Sequence, residues 1–274
     1  MNCKTAVILA AGAGTRMKSE LPKVLHEVCG RPMVSHVISQ AKKAGAETII
    51  AVIGHGAEQV KEGLKEEEIL FALQEKQLGT GHAVMQAADR IPDEGDVFVL
   101  CGDTPLITSE TLAEFAAYHS GSNNAVTVLT AIFDNPFGYG RIIRGEDGNL
   151  QKIVEQKDAD ETEKAVKEVN AGMYCFNGAF LRENLPKLSN QNAQNEYYIT
   201  DLIGMAVESG AGAGAFAVNN PDEIMGVNNR IQLSEVKELY KGHEVSCHTS
   251  THPTIERCPL DQVVQQVIED RKAL

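Results

Sequence analysis

The feature of this sequence that most constrains its fold is the alternation of short apolar segments, rich in β-branched residues, with amphipathic segments of helical period. Apolar runs at 5–10, 48–53, 69–73 and 97–101 alternate with helical patterns at 33–44, 58–64, 80–90 and 109–119. This alternation predicts a doubly wound, mostly parallel α/β sheet. Ligands bind such sheets beyond the carboxyl ends of the strands. A binding site is therefore expected in the loops after Ala10, Leu73 and Cys101.

The pattern becomes richer in strands from about residue 124 onward. Strands are predicted at 125–132, 140–143, 150–155 and 169–176, and helices near 178–185 and 199–208. The charged stretch 157–168 is predicted to be an exposed excursion, and the glycines of 210–214 a flexible turn. A last helix is predicted from about residue 229, whereas 242–274 is assigned to no element.

Charge and cysteine content exclude several classes of function. The 274 residues carry a formal net charge of −13, which opposes general affinity for nucleic acids or anionic membranes. No apolar run reaches the length of a membrane span, the first residues lack a signal-peptide pattern, and the six cysteines show no disulfide rhythm. We therefore expect a cytoplasmic protein with no nucleic-acid and no membrane partner. Any phosphate must be captured by local positive groups.

Two common kinds of site find no support in the sequence. The donors Cys247, His248, His252 and Cys258 do not have the spacing of a zinc finger or ribbon, so no structural zinc is predicted. No Gly-x-Ser-x-Gly motif marks a nucleophilic serine.

The strongest local motif is the glycine loop LAAGAGTRM at 9–17, followed by the tripeptide LPK at 21–23. Glycines directly after a buried strand allow backbone N–H groups to approach a phosphate, and Arg16 and Lys23 supply positive charge. The loop lacks the third glycine of a dinucleotide fingerprint and the GK[ST] ending of a P-loop. Plain turn chemistry is the alternative, but the Arg and the Pro-Lys favour phosphate binding.

Asp103 follows the apolar strand at 97–101 and is a candidate magnesium ligand, because Mg²⁺ needs only one or two protein carboxylates beside substrate phosphates. The alternative is that Asp103 caps the turn into the next helix. Asn228 has the same two interpretations, as a helix cap or as a second magnesium ligand.

The segment QEKQLGTGH at 74–82 has the groups that suit a nucleobase edge, since Gln side chains both donate and accept and Gly79 permits close approach. Thr80 is a candidate cap for the following helix. An ordinary surface loop is the alternative interpretation. Farther along, 138–141, Glu155, 170–172 and 195–201 supply groups that could bind sugar hydroxyls, although the tyrosines at 197 and 198 could equally be core or rim residues.

These motifs, in this order, resemble one known family. The segments LAAGAGTRM, LPKVLHEVCGRPMV, LQEKQLGTGHA, GDTPLI, NPFGYGRI, IVEQKDA, NAG, NEYYITD and GVNNRIQL cover roughly residues 6–239. The chain resembles the uridylyltransferase (pyrophosphorylase) half of the bacterial bifunctional N-acetylglucosamine-1-phosphate uridylyltransferase and glucosamine-1-phosphate acetyltransferase.

The resemblance implies a Rossmann-like sheet of the nucleotide-diphospho-sugar transferase type with an inserted sugar-binding lobe. The nucleotidyltransferase domain would span 1–228, with the lobe at about 124–200, a helical extension at 229–241 and an unassigned tail at 242–274. The implied reaction is UTP plus N-acetylglucosamine 1-phosphate giving UDP-N-acetylglucosamine and pyrophosphate, with Mg²⁺ as cofactor, for cell-wall precursor synthesis.

The resemblance also assigns roles to individual residues. It implies that Arg16 and Lys23 are catalytic and that Asp103 and Asn228 hold magnesium. The implied nucleotide-binding residues are Leu9, Ala11, Gly12, Gly14, Gln74, Gln77, Gly79 and Thr80. The implied sugar-phosphate-binding residues are Gly140, Glu155, Asn170, Tyr198 and Thr200.

Two departures from the family limit what is expected. Cys101 stands where relatives can carry an aromatic residue, which puts a substrate contact there in doubt. The sequence shows no hexapeptide repeat of the kind that forms a left-handed β-helix, so acetyl transfer is not expected. The trimer of the family is associated with that β-helix. We therefore expect a monomer or a weak oligomer. The competing hypotheses are a nucleotidyltransferase of the same fold with another base or sugar phosphate, and a non-catalytic regulator that binds nucleotide sugars.

Overall fold

The computed structural model describes residues 3–244. Its strands are β1 (Cys3–Ala10), β2 (Glu27–Val28), β3 (Arg31–Pro32), β4 (Thr48–Ile53), β5 (Leu70–Leu73), β6 (Asp96–Cys101), β7 (Val126–Ile132), β8 (Arg141–Arg144), β9 (Leu150–Val154), β10 (Glu168–Asn177) and β11 (Ala213–Ala217). Its helices are α1 (Met33–Lys43), α2 (Ala57–Gly63), α3 (Thr80–Met85), α4 (Ser109–Ser122), α5 (Glu161–Lys164), α6 (Gly178–Asn184), α7 (Asp201–Glu208) and α8 (Arg230–Glu244).

The central sheet has the strand order β11-β7-β10-β6-β1-β4-β5. The pairs β1–β4, β1–β6, β4–β5 and β11–β7 are parallel, whereas β10 runs antiparallel to both of its neighbours. Strand β8 pairs with β10 and with β9, away from the main path. The prediction of a mostly parallel α/β sheet is confirmed.

The topology places a crevice at the ends of β1 and β6. The chain passes from β1 to β4 and β5 on one side and then returns to β6 on the other side, so these two carboxyl ends flank the switch point. Because β10 runs in the opposite direction, with Tyr174 opposite Val99, the residues at 170–173 lie toward the carboxyl end of β6. Segments that are distant in sequence therefore meet at one edge of the sheet.

Apolar side chains cover both faces of the sheet, as the unbroken apolar strands require. Ile8 and Phe98 pack on one face with α1, α2 and α4, and Val7 and Val99 pack on the other with α3, α6 and α7. A third cluster joins α8 to the glycine loop and to the β2–β3 hairpin through Met17, Val28, Met33, Leu106, Val227 and Val236. This third cluster brings the segment before α8 to the loop after β1.

The element boundaries differ from the sequence predictions in a few places. The helix predicted at 80–90 ends at Met85 and is followed by a 3-10 turn at Ala88–Arg90. The charged stretch 157–168 is mostly exposed but contains α5. The N-cap residue Asp160 and the third helical residue Glu163 form a capping box at its amino terminus, with side-chain to backbone hydrogen bonds of 2.8 and 3.0 Å. Such a reciprocal cap forms a short helix without an apolar stripe.

Strand β11 and the β2–β3 hairpin were not predicted. The turn predicted at 210–214 forms at Gly210 and Gly212, which have positive φ, but Gly214 already belongs to β11. Apart from Phe216, that strand is built from alanine and glycine, and it lacks the β-branched side chains that mark strands in a sequence. The hairpin turns at Cys29 and Gly30, both with positive φ, as in a two-residue type I′ turn. Within residues 3–244, no helix is long and apolar enough to cross a membrane.

Candidate functional site

Four polar side chains from three segments meet at the switch point. The Lys23 ammonium contacts the Asp103 carboxylate and lies 3.2 Å from Oδ1 of Asn228, and the Arg16 guanidinium donates to the same Oδ1 at 2.9 Å. The Lys23 and Asp103 side chains are only 15% and 18% exposed. The residues predicted as catalytic and as magnesium ligands therefore form one charged cluster.

The glycine loop has the conformation that this cluster needs. Gly14 has φ +59°, and a Cβ there would lie 2.6 Å from Cβ of Lys23, so a side chain at this position would push the lysine away. The following 3-10 turn (Thr15–Met17) buries Met17, which fixes the backbone that carries Arg16. The loop after β6 is tied to β1 because Gly102 N–H donates to the Leu9 carbonyl at 2.9 Å.

Asp103 and Asn228 are held together by the backbone as well. The Val227 N–H donates to the Asp103 carbonyl at 2.9 Å, and the Asn228 N–H donates to Oε1 of Gln232 at 2.8 Å. The alternative interpretations of both residues as helix caps are wrong, because Thr108 caps α4 and the Asn229 side chain accepts from the first turn of α8.

The donor set of this cluster fits a hard divalent cation. One carboxylate and one amide oxygen contact the same ammonium, so both lie within reach of a single cationic centre. Mg²⁺ takes few protein oxygens and keeps its other positions for water and phosphate. No three His, Cys, Asp or Glu side chains converge in a metal-binding group in the described part of the chain, so a cage built wholly from protein ligands is not formed there.

The predicted nucleotide-binding residues gather at the ends of β1, β4 and β5. Gln74 is 3% exposed and donates through Nε2 to the Gly79 carbonyl at 3.1 Å, and Gln77 donates to the Gln74 carbonyl at 3.1 Å. A Cβ on Gly54 would lie 2.6 Å from Nε2 of Gln77 and 2.9 Å from the Ala11 carbonyl, so these groups surround the same glycine. Leu9 is half-buried, and Gly12 is exposed with open space around it.

Gly79 and Thr80 connect this loop to the 195–201 segment. Gly79 has φ +107°, and a Cβ there would meet the Tyr197 backbone at 2.6 Å. Thr80 does not cap α3, whose N-cap is Gly79; its hydroxyl instead accepts from the Ile199 N–H at 3.2 Å. The predicted cap role of Thr80 is therefore wrong, because this contact to a distant segment uses its oxygen.

Three predicted sugar-phosphate residues lie side by side. Asn170 is buried and donates its backbone N–H to the Gly140 carbonyl at 2.9 Å. Its side chain donates to the Tyr174 hydroxyl and accepts from the Gly172 N–H, both at 2.8 Å. A Cβ on Gly140 would lie 3.4 Å from Oε1 of Glu155, so glycine leaves room for that carboxyl.

Glu155 sits in an unusual electrostatic environment. Burial raises the pKa of its carboxyl, and the negative charges of Asp158 and Asp201 raise it further, whereas the nearby Thr200 hydroxyl lowers it. Thr200 is buried, and its hydroxyl makes no hydrogen bond of normal geometry. A buried polar group without a partner is rare and calls for a ligand or water. This corner can therefore accept a polar substrate group.

Tyr198 faces the same corner but is engaged by the protein. Its hydroxyl donates to Asp158 at 3.2 Å and accepts from Gln194 at 2.8 Å. Burial, with the charge of Asp158, raises the pKa of Tyr198 to about 12, so the phenol remains protonated. Tyr198 therefore lines this corner with an uncharged phenol whose hydroxyl is already hydrogen-bonded within the protein.

With this geometry described, comparison with known proteins is informative. A sequence model of the MobA-like NTP transferase domain matches residues 6–273. The chain belongs to that family. It is 53% identical over 91% of its length to the bifunctional protein GlmU of Alkaliphilus oremlandii, and 51% identical over 93% to that of Clostridioides difficile. The chain spans only 54% and 55% of these relatives.

The fold agrees with that of a solved structure. A putative glucose-1-phosphate thymidylyltransferase from Bacillus anthracis, in complex with a sucrose, matches with a TM-score of 0.71 over 86% of this chain and 94% of the other. At 18% sequence identity this likeness shows the fold alone. The NTP transferase domain thus has the nucleotide-diphospho-sugar transferase fold that the sequence predicted.

In this NTP transferase domain, Cys101 lies between the charged cluster and the group of Gly140, Glu155, Asn170 and Thr200, here called the Asn170 corner. Its thiol donates to the Gly172 carbonyl at 3.2 Å, and a Cβ on Gly172 would lie 2.9 Å from its sulfur. Burial and the charge of Asp103 raise the pKa of the Cys101 thiol to about 12. A thiol that remains protonated is a poor nucleophile. Cys101 therefore fills space between the two parts of the site.

Two residues near the site of the domain take positions that the sequence did not predict. The sequence gives His82 no role beyond ending the segment 74–82, here called the Gln74 loop, yet its Nδ1 lies 3.0 Å from Nε2 of Gln74. Tyr139 was grouped with possible sugar contacts, but burial and the charge of Asp103 raise its pKa, which places it toward the charged cluster. The helical spacing from the loop could have indicated His82, whereas nothing in the sequence indicates the position of Tyr139.

Proposed function

We propose that this chain catalyses the Mg²⁺-dependent transfer of UMP from UTP to N-acetylglucosamine 1-phosphate, with release of pyrophosphate. The observation that carries the proposal is the cluster of Arg16, Lys23, Asp103 and Asn228, which lies between the Gln74 loop and the Asn170 corner. The identity of about half of the residues to GlmU proteins supports the choice of substrates.

The reaction requires the protein to position the two substrates and to neutralise the charge of their phosphates. An anionic phosphate oxygen of the sugar 1-phosphate attacks the α-phosphorus of UTP, a new P–O bond forms, and the bond to the β-phosphate breaks with its electron pair leaving on pyrophosphate. No proton has to be removed from this nucleophile. A general base is therefore unnecessary, and preorganised positive groups supply the catalysis.

Arg16 and Lys23 are suited to that task. A guanidinium stays protonated and offers several N–H donors in a fixed plane, whereas an ammonium is a mobile point charge. Backbone N–H groups of the glycine loop add fixed dipoles that favour phosphate. Asp103 and Asn228 would hold Mg²⁺, which when bound neutralises phosphate charge.

The remaining groups determine orientation. The Gln74 loop would bind the uracil, and the Asn170 corner would bind the amino sugar through the Glu155 carboxyl and the Thr200 hydroxyl. The Thr200 hydroxyl is buried near the Glu155 carboxyl but makes no hydrogen bond of normal geometry to it, so a sugar hydroxyl or amide would complete its hydrogen bonding. A cytoplasmic location is part of this proposal, and the free thiols of Cys3, Cys101 and Cys175 among residues 3–244 support it.

The test is pyrophosphate release from UTP and N-acetylglucosamine 1-phosphate with and without Mg²⁺. Parallel reactions use other nucleoside triphosphates, other sugar phosphates, and glucosamine 1-phosphate with acetyl-CoA. We expect metal-dependent release with the first pair. Release with a different pair would reassign the substrates, and UTP binding without any turnover would favour a regulator.

A matched pair of variants tests the metal role. Asp103→Asn removes one charge at nearly constant shape and is expected to lower turnover at least about 100-fold and to weaken its response to Mg²⁺. Asp89→Asn makes the same change at an exposed position outside the site and is expected to have no effect. Equal Mg²⁺ dependence of the two variants would contradict the assignment of Asp103.

A further inference from the structure

The orientation of the Gln74 amide is determined by two acceptors. Its Nε2 donates to the Gly79 carbonyl at 3.1 Å, and a carbonyl can only accept. The same Nε2 lies 3.0 Å from Nδ1 of His82. A side-chain amide has only two N–H hydrogens. With both used inside the protein, the oxygen is the only group of Gln74 left to contact a ligand.

This count of donors also determines the tautomer of His82. Because Nε2 of Gln74 is a donor, Nδ1 of His82 must carry a lone pair, so the ring proton is on Nε2. On the other side of the ring, the Gln86 amide lies 3.3 Å from Nε2 of His82 and also donates to the His82 carbonyl. The Gln86 amide already has an acceptor in that carbonyl at 3.0 Å, so its longer approach to the ring does not have to be a hydrogen bond. The shorter contact of the buried Gln74 amide, at 3.0 Å, is the one that assigns the ring nitrogens.

We propose that His82 is a specificity-determining residue that acts through Gln74: it holds the amide so that an acceptor faces the base, which selects pyrimidines with an N3–H. Uracil and thymine carry a donor at N3, whereas cytosine has a lone pair there. An acceptor opposite cytosine N3 leaves two lone pairs facing each other, and unpaired polar groups in a site give strong discrimination.

This inference rests on the proposed nucleotide site at Gln74, but it does not require UTP to be the natural triphosphate. UTP and dTTP share the N3–H, so a chain that uses either would show the same dependence on His82. The quantity to measure is the ratio of kcat/KM, or of affinity, for UTP over CTP.

The test compares three variants of the full chain with the wild type. His82→Leu removes the acceptor and frees one N–H of Gln74. His82→Asn keeps an acceptor oxygen near the place of Nδ1. Gln86→Leu removes the contact on the other side of the ring and serves as the matched control. We expect the UTP over CTP ratio to fall about 10-fold in His82→Leu and to stay within about 3-fold in the other two.

A purely structural role of His82 predicts a different result, namely equal losses with both nucleotides and an unchanged ratio in His82→Leu. That result would overturn the proposal. Where turnover is too slow to measure, the ratio of the UTP and CTP affinities is obtained from direct binding by calorimetry. Failure of the proposed function is separate, since it would appear as absence of transfer by the wild type.

A second measurement needs no variant. The ¹⁵N chemical shifts of the His82 ring in the wild type are expected to show a proton on Nε2 and an unprotonated Nδ1. A proton on Nδ1 would overturn the proposal, because that nitrogen could not accept from Gln74.

Discussion

Gly79→Ala gives the sharpest test of how the Gln74 loop is built. Gly79 has φ +107° and ψ 175°, a region that is essentially restricted to glycine, and the strain of alanine there is about 1–3 kcal/mol. The new Cβ would also lie 2.6 Å from the Tyr197 carbonyl oxygen and 2.8 Å from its nitrogen. Both Tyr197 atoms are held by backbone hydrogen bonds of 2.8 Å, to Gly81 and Leu78, so the overlap adds about 1–3 kcal/mol. The expected loss of unfolding free energy is about 4 kcal/mol.

The matched control is Gly148→Ala, because Gly148 also has positive φ, +78°, but its added Cβ meets no atom within 4 Å. Backbone strain alone predicts a loss of about 1 kcal/mol there. The two variants are compared by urea unfolding followed by circular dichroism, with UTP affinity measured on the folded proteins. Gly79→Ala should also weaken UTP binding, whereas Gly148→Ala should not. Equal losses of stability in the two variants would refute the argument that the Tyr197 backbone closes on Gly79.

Three further predictions concern charge. Arg16→Ala is expected to lower kcat about 100-fold with a smaller rise in KM, and unchanged turnover would remove its catalytic role. Glu155→Gln should raise Tm at about pH 8 but not at about pH 4, because stability is lost as pH rises from the ordinary pKa of a glutamate toward the raised pKa of Glu155, and glutamine does not ionise. Asp96→Asn should have the opposite sign: it should lower Tm at higher pH and have less effect on Tm at acid pH. A hydrogen bond from His119 lowers the pKa of Asp96, so its stabilisation is present above the ordinary pKa of an aspartate and is lost as pH falls; melting curves across pH distinguish the two signs.

Much of the fold follows from sequence because the hydrophobic pattern and the secondary structure agree. Strand β4 spans the predicted residues, and α1 differs from its prediction by one residue. Both elements bury continuous or periodic apolar faces, which is the signal that sequence patterns carry best. Strand β11 consists of alanine and glycine around the single Phe216 and was missed, because its position depends on pairing with β7 rather than on its own propensity.

The candidate site was predicted less completely. Loops at the ends of β1 and β6 could be expected to meet, because the carboxyl ends of parallel strands share an edge. The antiparallel direction of β10, which brings Asn170 to the same edge, is a result of tertiary pairing. The Asn229 side chain caps α8, which excludes the helix-cap interpretation of Asn228, whereas its role as a metal ligand stays a prediction.

The contacts of Lys23 explain how this cluster is stable before substrates bind. Asp103 is a largely buried carboxylate, and a buried charge is costly without a counter-charge. Lys23 supplies that charge and also contacts the second oxygen, on Asn228. We propose that Asp103 and Asn228 would hold a divalent cation, which when bound would supply the neutralisation that Lys23 supplies here. Because the backbone bond between Val227 and Asp103 does not depend on either side chain, the two oxygens would stay in place. In this proposal the Lys23 ammonium would then be available to contact the substrate phosphates.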